Sequence, residues 1–432
     1  MKRFGALLVA VLLLVLAGCG SGSGGGGGGS GSGSAGGGSG GGAAAGPGTV
    51  KIGTVYPRTG SLALLGEESW RGAEIARLVR NKNGGINGAQ IEFVNADAPD
   101  ANAAKSEAER LITGEGLQVL IGTYSSGLSL TATEVAERNG AVYFELGAIS
   151  DPITGRGYQN VYRTNAKSSD FAAVQIRFIQ EFLSEQLGVP ANQIRLAVVH
   201  EDSSYGTTVA EYVQKYASEA GIPLVAIEPY SATAVDLSPV ILKLKQVKPD
   251  VLIAISYAND AILFWRQAKE ADFNVKAFIG TGGGHTLKDF YDGVGSDVEG
   301  VYNVDFTQYE VNTDFTPGLE EFVALYKETF GEAPRSGHSL ANFMGANVLF
   351  DVIEKAGGKL DPDSIRQAAM SIDVEPGQTA TGWGVKFDET GQNIRTNVLV
   401  TQWTADGRLV TVWPKEAAVQ EPIRMKTWAE RR

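Results

Sequence analysis

The sequence has few of the residues that build disulfide frameworks, metal sites and histidine-dependent catalysis. Its single cysteine, Cys19, excludes an internal disulfide and a cysteine-rich zinc or iron–sulfur site. The three histidines, His200, His285 and His338, show no HExxH or other metal-ligand spacing, so we expect no metal and no cofactor. There is no P-loop and no G-x-S-x-G elbow, and GTGGGH (280–285) lacks the third glycine of a dinucleotide fingerprint. We therefore expect no catalytic residues.

Positive charge is also scarce, since 37 Lys and Arg stand against 49 Asp and Glu and give a formal net charge of −12. Such a surface repels phosphate backbones, so we expect no nucleic-acid partner. It also argues against a basic patch that binds anionic lipid. With 43% hydrophobic and 20% charged residues, the 432-residue chain suits a soluble globular protein with one large two-lobed unit or two domains.

The first residues are typical of an export signal. Lys2 and Arg3 precede an unbroken apolar run, FGALLVAVLLLVLAG (4–18). That run is shorter than the roughly 20 apolar residues of a transmembrane helix and fits a secretory signal peptide over residues 1–18. The sequence LAGC (16–19) is similar to the lipobox of bacterial lipoproteins, which implies that the thiol of Cys19 carries a diacylglyceryl group. The alternative is an ordinary signal peptide whose apolar region ends in a cysteine.

The segment that follows is mostly Gly with Ser and Ala, and cannot bury a core. We interpret 19–48 as the lipidated cysteine and a flexible Gly/Ser linker that reaches roughly 30 Å. The folded part then begins near Thr49. We predict an exported protein, anchored by lipid to the periplasmic or extracellular face of the cell membrane.

From Thr49 onward, short apolar runs alternate with amphipathic stretches. VKIGTVY (50–56) predicts a strand and ESWRGAEIARLVRNK (68–82) a helix, and the alternation continues to about 304. This order predicts an α/β fold with parallel sheets covered on both faces. About ten strands are many for one open sheet, so we expect two sheets. In such folds ligands bind at the carboxyl ends of strands, and here those ends are rich in Ser, Thr, Tyr and Gly.

Several of these segments together carry a family resemblance. The segments, in order, are IGTVYPRTGSLALLG, NGGINGAQIEFVNAD, VLIGTYSSGLS, TGRGYQNVYRT, IRLAVVHEDSSYG, DLSPVILKLKQVKPDVLIAI and FWRQAKEADF. Over nearly all of 50–412 the chain resembles solute-binding proteins of ABC importers, of the branched-chain amino-acid type. The resemblance implies a periplasmic-binding-protein-like type I fold, in which two Rossmann-like lobes are joined by three crossovers. We predict lobe 1 at 49–165 plus 305–397, and lobe 2 at 166–304 plus 398–432.

The same resemblance implies a ligand-binding cleft between the lobes. In the family, a serine at the position of Ser126 holds the ligand's carboxylate, and Gly147 and Ile149 stand at positions that also meet it. Ser125 and Tyr124 lie beside Ser126 and are included in the predicted site. Read from the residues alone, both serines could simply cap a helix.

Aromatic residues are predicted to complete the pocket. Tyr205 and Tyr257 match two aromatic positions that line the other lobe, although each could be ordinary packing. Leu65 and His338 stand where the family often has aromatic residues.

The acid that would bind an ammonium group is missing from its usual position. The family's amino-acid binders carry a Glu where this chain has Gly282, and a buried ammonium without a partner is costly. Either another acid replaces it, or the ligand has no ammonium group. Glu145 is the first candidate, with Glu201 and Asp202 after it.

The resemblance implies capture of a small solute, an amino acid or a related small carboxylate, and its delivery to an ABC permease by a monomeric protein. The alternative is a component of an amide or amino-acid sensor without a transport role. A hydrolase would require turnover of the bound compound.

Overall fold

The computed structural model describes residues 48–431. The predicted signal peptide, Cys19 and nearly all of the Gly/Ser linker lie outside the described residues. Within this range no helix combines the length and the hydropathy needed to cross a membrane.

The first sheet contains five parallel strands in the order β2-β1-β3-β4-β5. Their bounds are β1 Thr49–Tyr56, β2 Gln90–Asp97, β3 Val119–Gly122, β4 Val142–Glu145 and β5 Val161–Arg163. Every residue of β3, β4 and β5 is buried, as expected for parallel strands covered on both faces.

The second sheet contains seven strands in the order β12-β11-β10-β9-β8-β6-β7. Their bounds are β6 Leu196–Glu201, β7 Leu224–Tyr230, β8 Val251–Ile255, β9 Ala277–Thr281, β10 Tyr302–Asp305, β11 Leu399–Trp403 and β12 Leu409–Trp413. The strands β6 to β10 are parallel, whereas β11 and β12 extend the sheet as an antiparallel pair. Trp403 is buried in this added pair and contributes to the core.

Fourteen α-helical segments of the described chain cover these sheets. They are α1 Ala63–Lys82, α2 Ala101–Glu109, α3 Ser126–Arg138, α4 Pro152–Gly155, α5 Ser168–Phe178, α6 Ser184–Leu187, α7 Ser204–Glu219, α8 Ser238–Val247, α9 Ala258–Glu270, α10 Gly283–Thr286, α11 Lys288–Val294, α12 Leu319–Phe330, α13 Gly337–Lys355 and α14 Pro362–Met370. A π-helical turn, Ile179–Leu183, joins α5 to α6, so residues 168–187 form three consecutive helical segments.

Two lobes result from this arrangement. The helices α1 to α4 and α12 to α14 pack with the first sheet or with each other, and α5 to α11 pack with the second sheet or with the helical segments beside it. The chain passes between the lobes three times, namely after β5, after β10 and before β11. This is the α/β architecture with three crossovers that the family resemblance implies, while the residue-level lobe boundaries stay predictions. The carboxyl ends of β3 and β4 in one lobe and of β8, β9 and β10 in the other meet around one cavity.

Candidate functional site

The cavity between the lobes has about 320 Å³ of empty space, which includes its opening to solvent. Residues of both lobes line it. Nine of the eleven residues predicted from the sequence are among them, namely Leu65, Tyr124, Ser126, Gly147, Ile149, Tyr205, Tyr257, Gly282 and His338. The other two, Ser125 and Glu145, do not line it. The lining also includes Phe171, Gly283, Gly284 and Asp305, which were not predicted.

The wall formed by the first lobe contains the start of α3. Ser126 is the first residue of this helix, and its Oγ accepts a hydrogen bond from the backbone N–H of Ser150 at 3.1 Å. The hydroxyl proton of Ser126 is therefore free for another acceptor. The backbone N–H groups of residues 126–128 have no partner among the described residues, because the first α3 bond runs from Ser129 N–H to the Ser125 carbonyl. Free N–H groups and the positive end of the helix dipole favour an anion here.

Glu145 lies behind this wall and supports the two loops that follow β3 and β4. Its carboxylate accepts hydrogen bonds from five backbone N–H groups, those of residues 123, 124, 146, 147 and 148, at 2.7–3.3 Å. Burial raises the pKa of Glu145, while these hydrogen bonds oppose the shift by stabilising the charged form. With its oxygens already occupied, Glu145 orders the backbone that presents Tyr124 and Gly147 to the cavity.

Tyr124 adopts a backbone conformation that side chains rarely occupy. Its φ angle is +80°, a local strain of about 1–3 kcal/mol that the surrounding contacts must offset. Its N–H donates to Glu145, and its phenol donates to the Leu62 carbonyl at 3.0 Å. The ring meets Tyr257 and His338 edge-on at centroid distances of 6.3 and 6.1 Å. The strained turn thus directs an aromatic side chain at the second lobe.

The opposite wall comes from the second lobe. Tyr205, in the first turn of α7, donates its phenol to the Thr281 carbonyl at 2.5 Å and packs against Tyr257. Gly282 has a φ of +59°, and a Cβ there would approach the Tyr205 hydroxyl to 3.0 Å. A Cβ on Gly283 would overlap Leu65 Cδ2 of the first lobe at 2.1 Å. Gly283 therefore allows the α10 turn to approach the first lobe closely, and Gly282 allows the turn to pack against Tyr205 of its own lobe.

Direct contacts hold the lobes together around the cavity. Ser125 Oγ lies 3.2 Å from the hydroxyl of Tyr257, and Ser150 Oγ lies 3.0 Å from Thr208 Oγ1. Arg335 of the first lobe also donates to both carboxylate oxygens of Asp289 in the second lobe, at 3.0 Å. Ser125 therefore lies at the lobe–lobe contact rather than on the cavity wall.

Asp305 is the cavity residue that the sequence reasoning missed most clearly. It is the last residue of β10, so the rule that ligands bind at strand carboxyl ends could have found it. Its carboxylate accepts from the backbone N–H of Phe306 at 2.8 Å and from Thr286 Oγ1 at 2.6 Å. Complete burial raises the pKa of Asp305 to about 7. The alternative acids lie off the wall, since Glu201 accepts from Ser203 and Gly206, and Asp202 also does not line the cavity.

A larger groove, with about 1040 Å³ of empty space, lies on the first lobe between α12, α13 and residues 372–385. Residues of one lobe form it, so movement of the lobes would not open or close it. Across residues 48–431, no cluster of His, Cys, Asp and Glu is arranged to hold a metal ion. We therefore regard the cavity between the lobes as the candidate site.

Comparison with known proteins agrees with this architecture. The family described as periplasmic binding protein matches residues 49–408. The "Leu/Ile/Val-binding protein homolog 7" of Brucella suis biovar 1 is 46% identical over 373 residues, which cover 86% of this chain and 93% of the relative. "Leu/Ile/Val-binding protein homolog 8" of Brucella abortus is 44% identical over 371 residues, covering 86% and 92% respectively.

Solved structures share the fold at lower identity. The branched-chain amino-acid transporter substrate-binding protein LivJ of Streptococcus pneumoniae, in complex with isoleucine, has a TM-score of 0.71 and 21% identity, with 87% of this chain and 99% of that chain covered. A solute-binding protein of an ABC transporter of Rhodopseudomonas palustris, in complex with 3,4-dihydroxybenzoic acid, has the same TM-score and coverage at 22% identity. This chain belongs to the periplasmic binding protein family, a family of solute-binding proteins rather than enzymes.

Proposed function

We propose that this protein binds a small carboxylate-bearing solute, an amino acid or a related small acid, in the cleft between its lobes and delivers it to an ABC permease. The observation that carries the proposal is the wall formed by Ser126 and the free N–H groups at the start of α3. This wall can hold a carboxylate, and Tyr205 and Tyr257 of the other lobe face it across the same cavity. The names of the Leu/Ile/Val-binding relatives support the same class of solute.

The mechanism is closure of the two lobes about the three crossovers. The solute first binds the first lobe, where Ser126 and the α3 N-terminus meet its carboxylate. Tyr205 and Tyr257 then add contacts that exist only when the lobes approach, and these contacts shift the population towards the closed form. The Ser125–Tyr257 and Arg335–Asp289 contacts add to the stability of that form. A permease can then distinguish loaded from unloaded protein by its shape.

The proposal is tested by thermal denaturation of the purified full-length chain with a panel of amino acids, amides and aromatic acids. A ligand at a hundredfold excess over its Kd adds about 2.7 kcal/mol to the unfolding free energy, which raises Tm. We expect one chemical class to give a saturable rise. The rise should be lost in Ser126→Ala and kept in Ser106→Ala, an exposed serine on α2. An undiminished rise in Ser126→Ala would reject the carboxylate assignment.

Export and lipid anchoring through Cys19 belong to the same proposal. Cells that produce the full chain and take up an alkyne-tagged palmitate should label it, and the label should disappear in Cys19→Ser. The variant should also leave the membrane fraction. Equal labelling of the two proteins would reject Cys19 as the lipidated residue.

A further inference from the structure

Asp305 stands out because it is the one carboxylate among the residues that line the cavity. Its side chain is fully buried, and the ion pairs within residues 48–431 give it neither a lysine nor an arginine as partner. Two close hydrogen bonds, from Phe306 and Thr286, reach its oxygens, and Gln308 Nε2 lies farther away at 3.5 Å. A buried carboxylate without a cation is costly, so a positive group that enters the cavity would gain a strong partner.

His338 provides a second unpartnered group beside Asp305. Its Nε2 lies 3.7 Å from Asp305 Oδ1, beyond hydrogen-bond distance, and neither ring nitrogen has a partner among the described residues. Only 5% of the side chain is exposed. Burial lowers the pKa of His338 to about 3, so the ring is neutral and keeps one nitrogen with a free lone pair. A neutral histidine accepts a hydrogen bond but does not neutralise Asp305.

The other buried acids near the cavity already have donors and lie off its wall. Glu145 accepts five backbone N–H groups. Glu201 accepts from Ser203 and from the N–H of Gly206. Asp260 accepts from the phenol of Tyr230 and from the N–H at the start of α9.

We infer that Asp305 and His338 form the subsite for a primary ammonium group of the ligand. One ammonium N–H would bond to Asp305 Oδ1 and another to the free ring nitrogen of His338. The start of α3 lines the same cavity and would take the carboxylate, so one molecule can use both subsites. This inference rests on the proposed function and narrows its solute class to zwitterionic amino acids, excluding simple aliphatic or aromatic acids.

The experiment compares probes that differ only in the amino group. Isothermal titration calorimetry on the full-length chain would use L-leucine with 4-methylpentanoate, L-phenylalanine with 3-phenylpropanoate, and benzoate. We expect the tightest probe to be an amino acid and its deamino partner to bind at least about thirtyfold more weakly, as for loss of one partner of a buried charge pair. Asp305→Asn should weaken binding of the amino acid by a similar factor without weakening binding of the simple acid.

Two further variants complete the design. His338→Phe keeps a buried ring but removes the hydrogen-bond acceptor. It should weaken binding of the amino acid about tenfold. Asp170→Asn changes a half-buried acid at the start of α5 that does not line the cavity, and should leave affinity unchanged. Circular dichroism and Tm without probe verify that each variant is folded.

The possible failures are distinguishable. If a simple acid binds most tightly and Asp305→Asn leaves its affinity unchanged, the ammonium subsite is wrong while the proposed capture of a carboxylate stands. If none of these probes binds the wild-type protein, both the proposed solute class and the ammonium subsite are wrong.

Discussion

Ser125 and Tyr257 meet across the cleft, with Ser125 Oγ and the Tyr257 hydroxyl 3.2 Å apart. Ser125 immediately precedes α3 in the first lobe, and Tyr257 immediately precedes α9 in the second. The two side chains can form this hydrogen bond only when the lobes are close together. The pair therefore reports on the closed arrangement.

The first prediction concerns this pair. Ser125→Ala and Tyr257→Phe should each weaken ligand binding about two- to tenfold, the value of one neutral hydrogen bond. Because each substitution removes the same bond, the double variant should be no weaker than the weaker single variant. Calorimetric Kd values for the wild-type protein, the two single variants and the double variant complete this double-mutant cycle. Additive losses would mean that Ser125 contacts the ligand independently of Tyr257.

The second prediction concerns the close approach of Gly283 to Leu65. A Cβ at Gly283 would lie 2.1 Å from Leu65 Cδ2 and 3.1 Å from His338 Nε2. Gly283→Ala should therefore hinder closure and weaken ligand binding by about five- to 150-fold, since overpacking of this kind costs about 1–3 kcal/mol. Leu65→Ala in the same chain should restore part of the affinity by removing the overlap.

The matched control is Gly155→Ala, because a Cβ there meets nothing within 4 Å. Its Kd should equal that of the wild-type protein. If the Leu65→Ala replacement gives no recovery in Gly283→Ala, steric hindrance between these two residues is the wrong explanation.

The third prediction separates support of the site from contact with the ligand. Glu145→Gln replaces an acceptor of five N–H groups with an amide that brings its own donors. We expect a loss of about 2–3 kcal/mol in unfolding free energy, because hydrogen bonds to a buried charged group are lost. Chemical denaturation without ligand measures this loss. A fully stable variant that loses only binding would instead identify Glu145 as a direct ligand contact.

The fourth prediction is a pH dependence that arises from Asp305. Burial raises its pKa to about 7 in the folded protein, whereas the unfolded value is about 3.9. The folded protein thus binds this proton more tightly, and the Asp305 contribution to stability falls as pH rises from about 4 to 7. A bound ammonium group favours the carboxylate, so binding of an amino acid releases a proton. Affinity should therefore rise with pH from about 5 to 7, by at most about tenfold per unit.

Other groups near Asp305 do not account for this release. Burial lowers the pKa of both His338 and His285 to about 3 and raises that of Tyr205 well above its ordinary value. Burial also raises the pKa of Asp260 to about 7, but Asp260 lies off the cavity wall. Binding enthalpies in buffers of different ionisation enthalpy count the protons released. The count should fall to near zero in Asp305→Asn and persist in Asp260→Asn, and the reverse pattern would contradict the assignment.

The fold could be predicted largely from the sequence because its signals are local. Buried parallel strands such as β3 and β4 appear as continuous apolar runs, and the alternation with helices predicts two parallel sheets. The resemblance to a known family then indicated most of the residues that line the cavity. Tyr205 and Tyr257 lie on its wall because both follow strands of the second sheet at their carboxyl ends.

The acids of the site could not be assigned in this way. Glu145 ends a strand at the correct edge, but its side chain is directed at five backbone N–H groups, and no sequence pattern reports that direction. Asp305 also ends a strand and so is a possible candidate, but only the packing of the α10 turn and α13 around the end of β10 makes it a cavity residue. Such contacts depend on the packing of segments that are distant in the sequence.

The central claim is that a small zwitterionic solute lies between the lobes with its two charged ends on opposite walls. A crystal structure of the full-length protein with its tightest-binding amino acid tests this claim most directly. We expect the carboxylate within about 3 Å of Ser126 Oγ and the α3 N–H groups, and the ammonium at a similar distance from Asp305 Oδ1. Density for the solute outside this cavity, or a solute with its ammonium directed away from Asp305, would contradict the account.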